Sequence, residues 1–587
     1  MLYRDVAEFY EKVEATTKRL EITALIVDML GRADCSEIAN VVHMTHGKLF
    51  PDFHPEKIGM AEKMALRTLA AVSRTGLEKV EELYRERGDI GIVGEEMLGR
   101  ASGSSLGGAE LTVNSVHATL TQITAESGQG SQEAKVNLLA GLLASSTPVE
   151  AKYILRIVVG KMRIGVAAMT LVEALAVRFA SKADKDAVER AFNITSDLGT
   201  VARTLCEEGL EGLSRLRLKV NVPVRSMLAE RLPGIGQILE KMGGRAAFDY
   251  KYDGLRMQAH INDGEVRLFS RQLEELTEQF PEVASAVASV FRGRSGIVEG
   301  ECVPVDTNTG ELLPFQVVSR RRGRKHGVTA AMEEFPVTLF LFDLLLYDGA
   351  DYTGIPFTER RRKLESVIDT GAGERVRTST MIITDSEKEA EEFFTQSLES
   401  GCEGIVAKSV AQESVYQAGA RGWLWIKYKK DYKAEMIDTV DLVIVGALAG
   451  RGRRSGTYGA LLMATYNKDR DVFETVTKLG TGFDDETLAA LPRMLKPHLL
   501  GAKDPSVESR ADADFWFRPA LVLEVLGAEI THSPVHTCCW NEVRKDAGLA
   551  IRFPRFTGKF REDRGPYDAT TSKEILEMYR MQLKKSS

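Results

Sequence analysis

The sequence predicts a multidomain α+β protein with an all-helical first third, a central third that alternates strands with helices, and a last third of short strands. A chain of 587 residues is too long for a single core, so two to four domains are expected. Apolar residues recur at helical spacing from Val6 to about Leu216, and strand-like runs begin at VNVPV, residues 220–224. We therefore divide the chain into residues 1–216, 217–430 and 431–587.

The composition is typical of a soluble globular protein, with 44% hydrophobic and 27% charged residues. The net charge of -7 gives no global sign of nucleic-acid binding, so such binding must depend on local basic patches that touch phosphates. No apolar run approaches the roughly 20 residues needed to cross a bilayer. The start, MLYRDVAEFYEK, lacks the apolar centre of a signal peptide. We expect a cytoplasmic protein without a membrane partner.

The cysteines argue against both a zinc site and a secreted disulfide framework, because none of them form a C-x-x-C pair. The six are Cys35, Cys206, Cys302, Cys402, Cys538 and Cys539. The segment HSPVHTCCW contains two histidines and two cysteines, but its spacing fits no common zinc pattern. A reducing compartment is expected.

The stretch FDYKYDGLR (Phe248–Arg256) contains Lys251, a candidate nucleophile. A lysine amine attacks phosphorus only when neutral, and its ordinary pKa of about 10.4 keeps it protonated at neutral pH. An apolar pocket or nearby positive charge can lower that pKa. Lys251 follows a short predicted strand, and Gly254 lets the backbone turn close to a ligand. The alternative is an exposed lysine before a turn.

Acidic and aromatic residues follow at strand spacing. IVEGECVPVD carries Glu299 and Glu301 two residues apart, so both carboxylates point to one face of a strand. FPVTLFLFDLLLYDG places Phe340 and Phe342 on one face in the same way. Both pairs also have an ordinary explanation: the glutamates could be solvated strand residues, and the phenylalanines could belong to the core.

Two later segments add charge: GCEGIVAKS carries Glu403 and Lys408, and RGWLWIKYKKDY carries Lys427 and Lys429. Lysines at a wet sheet edge are the alternative. Taken together, the segments supply a nucleophile, carboxylates for a divalent cation, a ring to stack on a base, and cations for phosphates. Nucleotidyl transfer needs these groups, because positioning and charge stabilisation dominate phosphoryl chemistry.

Basic residues beside glycines suggest contacts to a nucleic-acid backbone. In the helical third these are Lys48 in SEIANVVHMTHGKLFPDF, and Arg156, Lys161 and Arg163 in YILRIVVGKMRIGVAAMTLVEAL. Solvated charges on a helix-loop-helix are the alternative. Further basic residues lie in SRRRGRKHG, GRGRRSG and IRFPRFTGKFREDR: Arg320, Arg321, Arg322, Arg453, Arg552, Arg555 and Arg564.

The ordered series KYDGLR, SR at Ser270–Arg271, EGE, FD, EGIVAK, WLWIKYKKDY and RFPRF resembles the motifs of ATP-dependent DNA ligases of the archaeal and eukaryotic replicative type. The first third resembles that family's DNA-binding domain through ANVVHMTHGKLFPD and RIVVGKMRIGVAAMTLVEAL. The resemblance implies a helical DNA-binding domain, a nucleotidyltransferase (adenylation) domain of antiparallel sheets with helices, and a C-terminal OB-fold barrel.

The resemblance also implies residue roles. Lys251 would carry the adenylate, Asp249 would face the adenine amino group, and Phe342 would stack on the base. The other nucleotide contacts would be Arg256, Arg271, Glu301, Arg421, Lys427 and Lys429, with Glu301 and Glu403 at the metal. Arg552, Arg555 and Arg564 would orient pyrophosphate, and Arg564 stands where the family usually has lysine.

The implied activity uses ATP and Mg²⁺ to seal nicks in double-stranded DNA during replication, repair and recombination. Lys251 takes AMP from ATP, AMP passes to the 5′-phosphate, and the 3′-hydroxyl then displaces it. We expect a monomer, with a sliding clamp as a hypothetical partner, although the 99–108 loop contains no convincing clamp-binding peptide.

Four alternatives share parts of this pattern. An RNA ligase and a GTP-using capping enzyme share the chemistry, and the helical third argues against both. An NAD-dependent ligase would need a cysteine zinc module. An inactive DNA clamp predicts loss of Lys251, Glu301 or Glu403, and all three are present.

Overall fold

The computed structural model describes residues 1–584 except 57, 102–109, 306–311, 314, 320, 322, 324–326, 370–374, 430–438, 451–456, 528 and 553. The chain divides into two compact units, Met1–Lys430 and Asp431–Ser587. Over these described ranges, no helix has the length and apolarity required to cross a membrane.

The first part of unit one is helical. Its helices are α1 (Tyr3–Glu14), α2 (Arg19–Arg32), α3 (Ile38–Thr45), α4 (Glu62–Val72), α5 (Leu77–Arg87), α6 (Ile90–Ala101), α7 (Val113–Ala125), α8 (Ser131–Ala144), α9 (Pro148–Val158), α10 (Ala168–Phe179), α11 (Lys185–Thr195) and α12 (Leu198–Arg215). Their apolar faces form one core around residues such as Tyr3, Val41 and Leu155. The prediction that the chain is helical to about Leu216 is confirmed, because these helices follow one another up to the end of α12 at Arg215.

A disulfide joins Cys35, which follows α2, to Cys206 in α12. Their Cα atoms lie 5.5 Å apart although 171 residues separate them in the chain. The sequence carried no local sign of this pair, because only the packing of α2, α3 and α12 brings the two residues together. Our expectation of unpaired cysteines is wrong here.

The second part of unit one contains two sheets with helices. Its elements are β1 (Leu228–Arg231), α13 (Ile235–Lys241), β2 (Ala246–Lys251), β3 (Leu255–Asn262), β4 (Glu265–Ser270), α14 (Pro281–Val290), β5 (Ser295–Pro304), α15 (Phe315–Ser319), α16 (Val328–Glu334), β6 (Val337–Tyr347), β7 (Ala350–Asp351), α17 (Phe357–Val367), β8 (Val376–Thr378), β9 (Met381–Thr384), α18 (Glu387–Glu399), β10 (Gly404–Ser409) and β11 (Arg421–Lys429). The first sheet has the order β1-β11-β10-β2-β9. The second has the order β4-β3-β5-β6-β7, with β8 beside β6.

Most neighbouring strands in these sheets are antiparallel, whereas β1 with β11 and β6 with β8 are parallel. Leu339 and Leu341 of β6 share a buried core with Val287 of α14 and Leu364 of α17. The predicted strand at VNVPV is wrong, because the first strand begins at Leu228. In this segment, the backbone N–H and carbonyl oxygen of Val224 form hydrogen bonds with the Gln258 side chain and not with a neighbouring strand. The preceding residue is a proline, which has no N–H to donate to a strand partner.

Unit two is rich in strands. Its elements are β12 (Val440–Ala449), β13 (Tyr458–Asn467), β14 (Val472–Leu479), α19 (Asp485–Leu495), β15 (Leu499–Leu500), β16 (Val507–Glu508), β17 (Phe515–Phe517), β18 (Val522–Leu526), β19 (Glu529–Ser533), β20 (Gly548–Arg552), β21 (Arg555–Phe560) and α20 (Ser572–Lys584). One sheet has the order β15-β17-β12-β13-β14-β16, with β18 joining β12 to β21, and β19 pairs with β20.

The apolar faces of this sheet, α19 and α20 enclose a further core that includes Leu442, Leu491 and Ile575. The sequence pattern predicts LVLEVLGAEI as one short strand, but it forms parts of β18 and β19, which lie in different sheets. The pattern also predicts a capped helix at TTSKEILEMY, and α20 confirms it: the Thr571 hydroxyl accepts from the Glu574 N–H at 3.2 Å. The α+β class, with helical, two-sheet and strand-rich parts, is as predicted.

Removing the disulfide is expected to destabilise the helical part. In Cys35→Ser/Cys206→Ser the unfolded chain regains the freedom of a long closed loop, which should lower the free energy of unfolding by about 2–5 kcal/mol. Thermal melting without reductant would measure the difference. Reductant should lower the melting temperature of the wild type but not that of the double variant. Equal melting of the two proteins without reductant would contradict the expectation.

Candidate active site

Lys251 is the last residue of β2 and lies beside the start of β10 in the first sheet. The Glu403 N–H donates to the Lys251 carbonyl oxygen at 2.9 Å, which fixes the two backbones together. Lys251 Nζ lies 2.5 Å from Glu403 Oε2. Lys429, the last residue of β11, pairs with the same carboxylate. Two ammonium groups therefore share one carboxylate at the ends of neighbouring strands.

Glu403 is held in its ionised form. Burial would raise the pKa of this carboxyl, but the charges of Lys251 and Lys429 outweigh burial and lower the pKa to about 2. A carboxylate with so low a pKa binds a proton weakly at neutral pH. Glu403 can therefore hold the Lys251 amine in position, but it is poorly suited to accept a proton from that amine.

Glu301 on β5 is a second carboxyl group beside the amine, and it makes no hydrogen bond or ion pair with another residue that the structure describes. Burial raises its pKa to about 7, against the opposing charges of Lys251 and Arg256. Burial also raises the pKa of Asp253, and Glu403 adds to that effect. Clustered carboxyl oxygens that disfavour each other's charge fit a hard divalent cation, which would relieve the repulsion.

Gly254, just before β3, allows the backbone to pack closely against β5, which carries Glu301. A Cβ atom at this position would lie 2.4 Å from the Cys302 carbonyl oxygen and 3.0 Å from Cγ of Glu301. Any larger residue would push β3 away from β5. The predicted close approach at Gly254 is thus a contact with a neighbouring strand.

A buried acceptor and an aromatic ring lie deeper in the site. Asp249 is 2% exposed; its Oδ2 accepts from Lys408 Nζ at 2.7 Å, whereas its Oδ1 has no hydrogen-bond partner among the described residues. Phe342 is the extra residue where the β5–β6 register shifts, and such a bulge re-aims a side chain. Lys408 Nζ lies 4.8 Å from the ring centroids of Phe342 and Trp425. A ligand with an amino group and a flat ring would fit both features.

These groups line one cavity of about 440 Å³, a volume within the usual range for small-molecule sites. Its walls include every residue predicted from the sequence to bind nucleotide or metal: Asp249, Lys251, Arg256, Arg271, Glu301, Phe342, Glu403, Arg421, Lys427 and Lys429. The tertiary structure thus brings together residues from six predicted segments.

The basic strand β11 gives the cavity its positive charge. Arg421, Lys427 and Lys429 recur at odd positions and all reach the cavity, as strand periodicity predicts. Partial burial lowers the pKa of Lys427, and the charges of Lys429, Arg421 and Lys251 lower it further. Phosphate groups bound here would relieve this repulsion.

Glu299 and Phe340 have structural roles. Glu299 is fully buried and accepts from Arg256 Nη2 at 2.8 Å, so its carboxylate is already engaged. Phe340 stacks on Tyr252 with ring centroids 4.2 Å apart and belongs to the core. Of the two carboxylates predicted to share one face of the strand, only Glu301 is therefore free of a partner among the described residues.

Lys408 and Trp425 line the cavity and Tyr416 contacts the wall residue Arg256, although the sequence prediction assigned none of the three to the site. Lys408 is 2% exposed, and burial lowers its pKa while Asp249 opposes that shift. Lys408 follows Glu403 by five residues, so strand alternation from Glu403 would place it on the opposite face and gave no signal for it. Nothing in the local sequence marks Tyr416, which contacts Arg256 from a loop.

Two arginines predicted to contact nucleic acid lie in the interior, which corrects those predictions. Arg156 is 2% exposed and its Nη2 lies 2.9 Å from Glu14 and 3.0 Å from Asp89. Arg321 is 1% exposed and its Nη1 donates to Glu282 at 2.5 Å. Carboxylates engage terminal nitrogens of both guanidinium groups, and both side chains are too deeply buried to reach a phosphate at the surface.

The other predicted nucleic-acid contacts of the helical part are partly exposed. Lys48 pairs with Asp52 at 2.5 Å, and Lys161 pairs with Glu62 at 2.6 Å. Arg163 lies 3.1 Å from the Asp89 carboxylate. Arg320, Arg322, Arg453 and the side chain of Arg552 lie outside the described residues.

In unit two, Arg555 is exposed on β21, and Arg564 Nη1 lies 2.9 Å from Asp441 Oδ2. Arg561 Nη1 also donates to Asp441, at 2.8 Å. Asp441 on β12 is therefore the common partner of two arginines in the C-terminal basic segment.

The cysteines of HSPVHTCCW lie near a carboxylate. Ligand atoms of Glu474, Cys538 and Cys539 fall within 4.8 Å of one another, and the histidines of the segment do not join them. Each donor is already engaged: Glu474 with Arg470 at 3.2 Å, Cys539 Sγ with the carbonyl oxygen of residue 572 at 3.1 Å, and Cys538 Sγ with Thr465. We assign no metal to this cluster.

Comparisons with known proteins match most of the chain. Residues 2–176 match the family described as DNA ligase N terminus, residues 226–429 match ATP dependent DNA ligase domain, and residues 454–564 match ATP dependent DNA ligase C terminal region. The solved structure Pmar-Lig_PreS3 shares the fold, with a TM-score of 0.55 at 15% identity, over 95% of this chain and 99% of that one.

Curated relatives match over the full length. DNA ligase 2 of Thermofilum pendens is 48% identical over 590 residues, which cover 99% of this chain and 98% of that protein. The DNA ligase of Staphylothermus marinus is 45% identical over 601 residues, covering 100% of both chains. Together with the family matches and the nucleotide-sized cavity, these relatives show that the chain belongs to the ATP-dependent DNA ligases.

Proposed function

We propose that this chain seals nicks in duplex DNA with ATP and that Lys251 is the residue that carries AMP. The observation that supports this assignment is the single cavity in which the Lys251 amine, a free buried acceptor, an aromatic ring and a row of cations converge. The match of residues 2–176 to a DNA ligase N terminus favours DNA over RNA ends or a cap as the substrate.

In the first step the neutral Lys251 Nζ attacks the α-phosphorus of ATP. A P–N bond forms, the bond to the pyrophosphate oxygen breaks, and the nitrogen releases one proton to solvent and keeps the other hydrogen. Glu403 holds the amine in position, and Lys427 and Lys429 lie on the same cavity wall, where their charges would meet the phosphates. The product is a lysyl–AMP phosphoramidate.

The nucleotide would be held by its base at one end and its phosphates at the other. Asp249 Oδ1 accepts a hydrogen bond from the adenine amino group, and Phe342 stacks on the ring. Arg256 and Arg271 contact the ribose and phosphate. Further along the cavity wall, Arg421, Lys427 and Lys429 neutralise the triphosphate.

Glu301 and Glu403 are the residues that would hold Mg²⁺, which would supply charge neutralisation at the transferring phosphoryl group. The donor set fits this ion, because both residues offer carboxylate oxygens and Glu301 has no other partner among the described residues. Arg552, Arg555 and Arg564 are assigned to pyrophosphate orientation.

In the later steps AMP passes from Lys251 to the 5′-phosphate at the nick, and the 3′-hydroxyl attacks that phosphate and releases AMP. Residues 1–216, 217–430 and 431–587 act as the DNA-binding, adenylation and OB-fold domains. Lys48, Lys161 and Arg163 contact the DNA backbone without reading its sequence. The protein acts in the cytoplasm as a monomer, and a sliding clamp is its candidate partner.

Replacing Lys251 should stop the reaction at its first step. Lys251→Ala removes the attacking nitrogen, so incubation with α-labelled ATP and magnesium should leave the protein unlabelled, and sealing should fall at least about a thousandfold. Binding to nicked duplex should persist. Peptide mapping of the labelled wild type checks the position, and label on a different residue would contradict the assignment.

Replacing Glu301 should weaken the metal site without disturbing another contact. Glu301→Gln is expected to raise the Mg²⁺ concentration for half-maximal adenylation by about tenfold or more. A magnesium titration of AMP labelling measures the change. Glu413→Gln, at an exposed position, is the matched control and should titrate as the wild type does. An unchanged magnesium dependence of Glu301→Gln would refute its role as a ligand.

The helical lysines should contribute to DNA affinity through phosphate contacts. Lys48→Ala/Lys161→Ala should weaken binding of nicked duplexes of any sequence and reduce the slope of log K against log salt by about two. Fluorescence anisotropy at several salt concentrations measures the slope. Lys388→Ala, on the exposed face of α18, is the control for charge removal. A slope equal to that of the wild type would show that Lys48 and Lys161 do not contact the DNA phosphates.

A further inference from the structure

A buried hydrogen-bond network anchors Arg256 at the wall of the cavity. Its centre is Glu299, which has no solvent exposure. Glu299 Oε2 accepts from Arg256 Nη2 at 2.8 Å and from the Tyr416 hydroxyl at 2.6 Å. Its Oε1 accepts from Gln258 Nε2 at 2.9 Å and from the Ser226 hydroxyl at 3.1 Å. Donors on both oxygens fix the orientation of this carboxylate.

Tyr416 connects the two anchors that hold the Arg256 guanidinium. Besides donating to Glu299, its hydroxyl oxygen accepts from the Met227 N–H at 2.9 Å. The Met227 carbonyl oxygen accepts from Arg256 Nη1 at 2.7 Å. One hydroxyl group thus contacts both the carboxylate and the backbone segment that fix the position of Arg256.

This anchoring leaves one donor of Arg256 for a ligand. Both terminal nitrogens are engaged, but the buried Nε has no hydrogen-bond partner within the part of the chain that the structure describes. The guanidinium lies 5.3 Å from the Phe342 ring centroid and 5.4 Å from that of Trp425, at the wall where the base is proposed to stack. A buried donor without a partner is costly, so a ligand acceptor at this point would gain the full hydrogen bond.

The segments that carry Met227 and Tyr416 are held against the end of α11. The Arg225 N–H donates to the Asn193 carbonyl oxygen at 2.9 Å, and the Gly419 N–H donates to the Arg225 carbonyl oxygen at 2.8 Å. A Cβ at position 419 would lie 2.4 Å from Asn193 Oδ1, so these segments pack without spare room. The hydroxyl of Tyr416 therefore acts from a rigid support.

We infer that Tyr416 is a positioning residue for the adenylation step. Its hydroxyl holds the Glu299 carboxylate and the Met227 amide in the arrangement that presents Arg256 Nε to the bound nucleotide. This inference rests on the proposed function, because it assigns a supporting residue to the same ATP site.

The test is Tyr416→Phe, which removes one oxygen atom. Single-turnover labelling of Lys251 with α-labelled ATP should show KM for ATP raised about tenfold, with kcat within about twofold of the wild type, because the lost hydrogen bonds serve nucleotide binding. Sealing by enzyme that already carries AMP should be unchanged. Tyr458→Phe is the matched control, since its hydroxyl makes no hydrogen bond to a residue that the structure describes.

A double variant separates positioning from general loosening. If Tyr416 acts through Arg256, then Tyr416→Phe should leave KM for ATP unchanged when it is added to Arg256→Gln. An equal rise of KM in both backgrounds, or no rise in the single variant, would overturn the inference.

If Tyr416→Phe melts below the assay temperature, Glu299→Asp gives an independent test. It keeps the charge but shortens the side chain, so it should also raise KM for ATP while sparing sealing by adenylated enzyme. An unchanged KM in folded Glu299→Asp would overturn the inference. Absence of label on Lys251 in the wild type would instead refute the proposed function.

Discussion

The antiparallel register of β2, β10 and β11 is the constraint on which the active site depends. It places Lys251, Glu403 and Lys429 at the ends of neighbouring strands, where one carboxylate meets two ammonium groups. Side chains alternate between the faces of a sheet, so a shift of one residue would turn these groups to opposite sides. The pairing therefore determines both the geometry and the charge balance around the nucleophile.

The same cavity shows how a protein can prepare polar groups for a ligand. Asp249 Oδ1 and Arg256 Nε are buried and have no partner in the described ranges, although the other polar atoms of both side chains are engaged by neighbouring residues. Leaving such atoms unpaired costs free energy in the empty protein. Lys408 and Glu299 limit that cost by holding the partnered atoms. The free acceptor and the free donor are then in position before a nucleotide binds.

One network of charges in the helical part lies between packed helices. Arg156 joins Glu14 and Asp89, and Lys152 joins Glu11 and Glu14, in a network between packed helices. Buried ion pairs of this kind are costly to break, because removal of one partner leaves the other charge without compensation. A basic residue beside a glycine is thus ambiguous in sequence, since helix packing decides whether the charge reaches the surface.

The sequence by itself determined the order of helical, two-sheet and strand-rich parts, and the set of residues around Lys251, because periodicity and local motifs are properties of contiguous segments. Only the tertiary structure decided which of those charges are free. Contacts between distant segments bury Arg321, pair Glu299 with Arg256 and join Cys35 to Cys206 in a disulfide. The tertiary structure also brought Tyr416 to Arg256 at the wall of the site, from a loop without a local signal. Burial and partners depend on packing across the chain, and no short pattern carries that information.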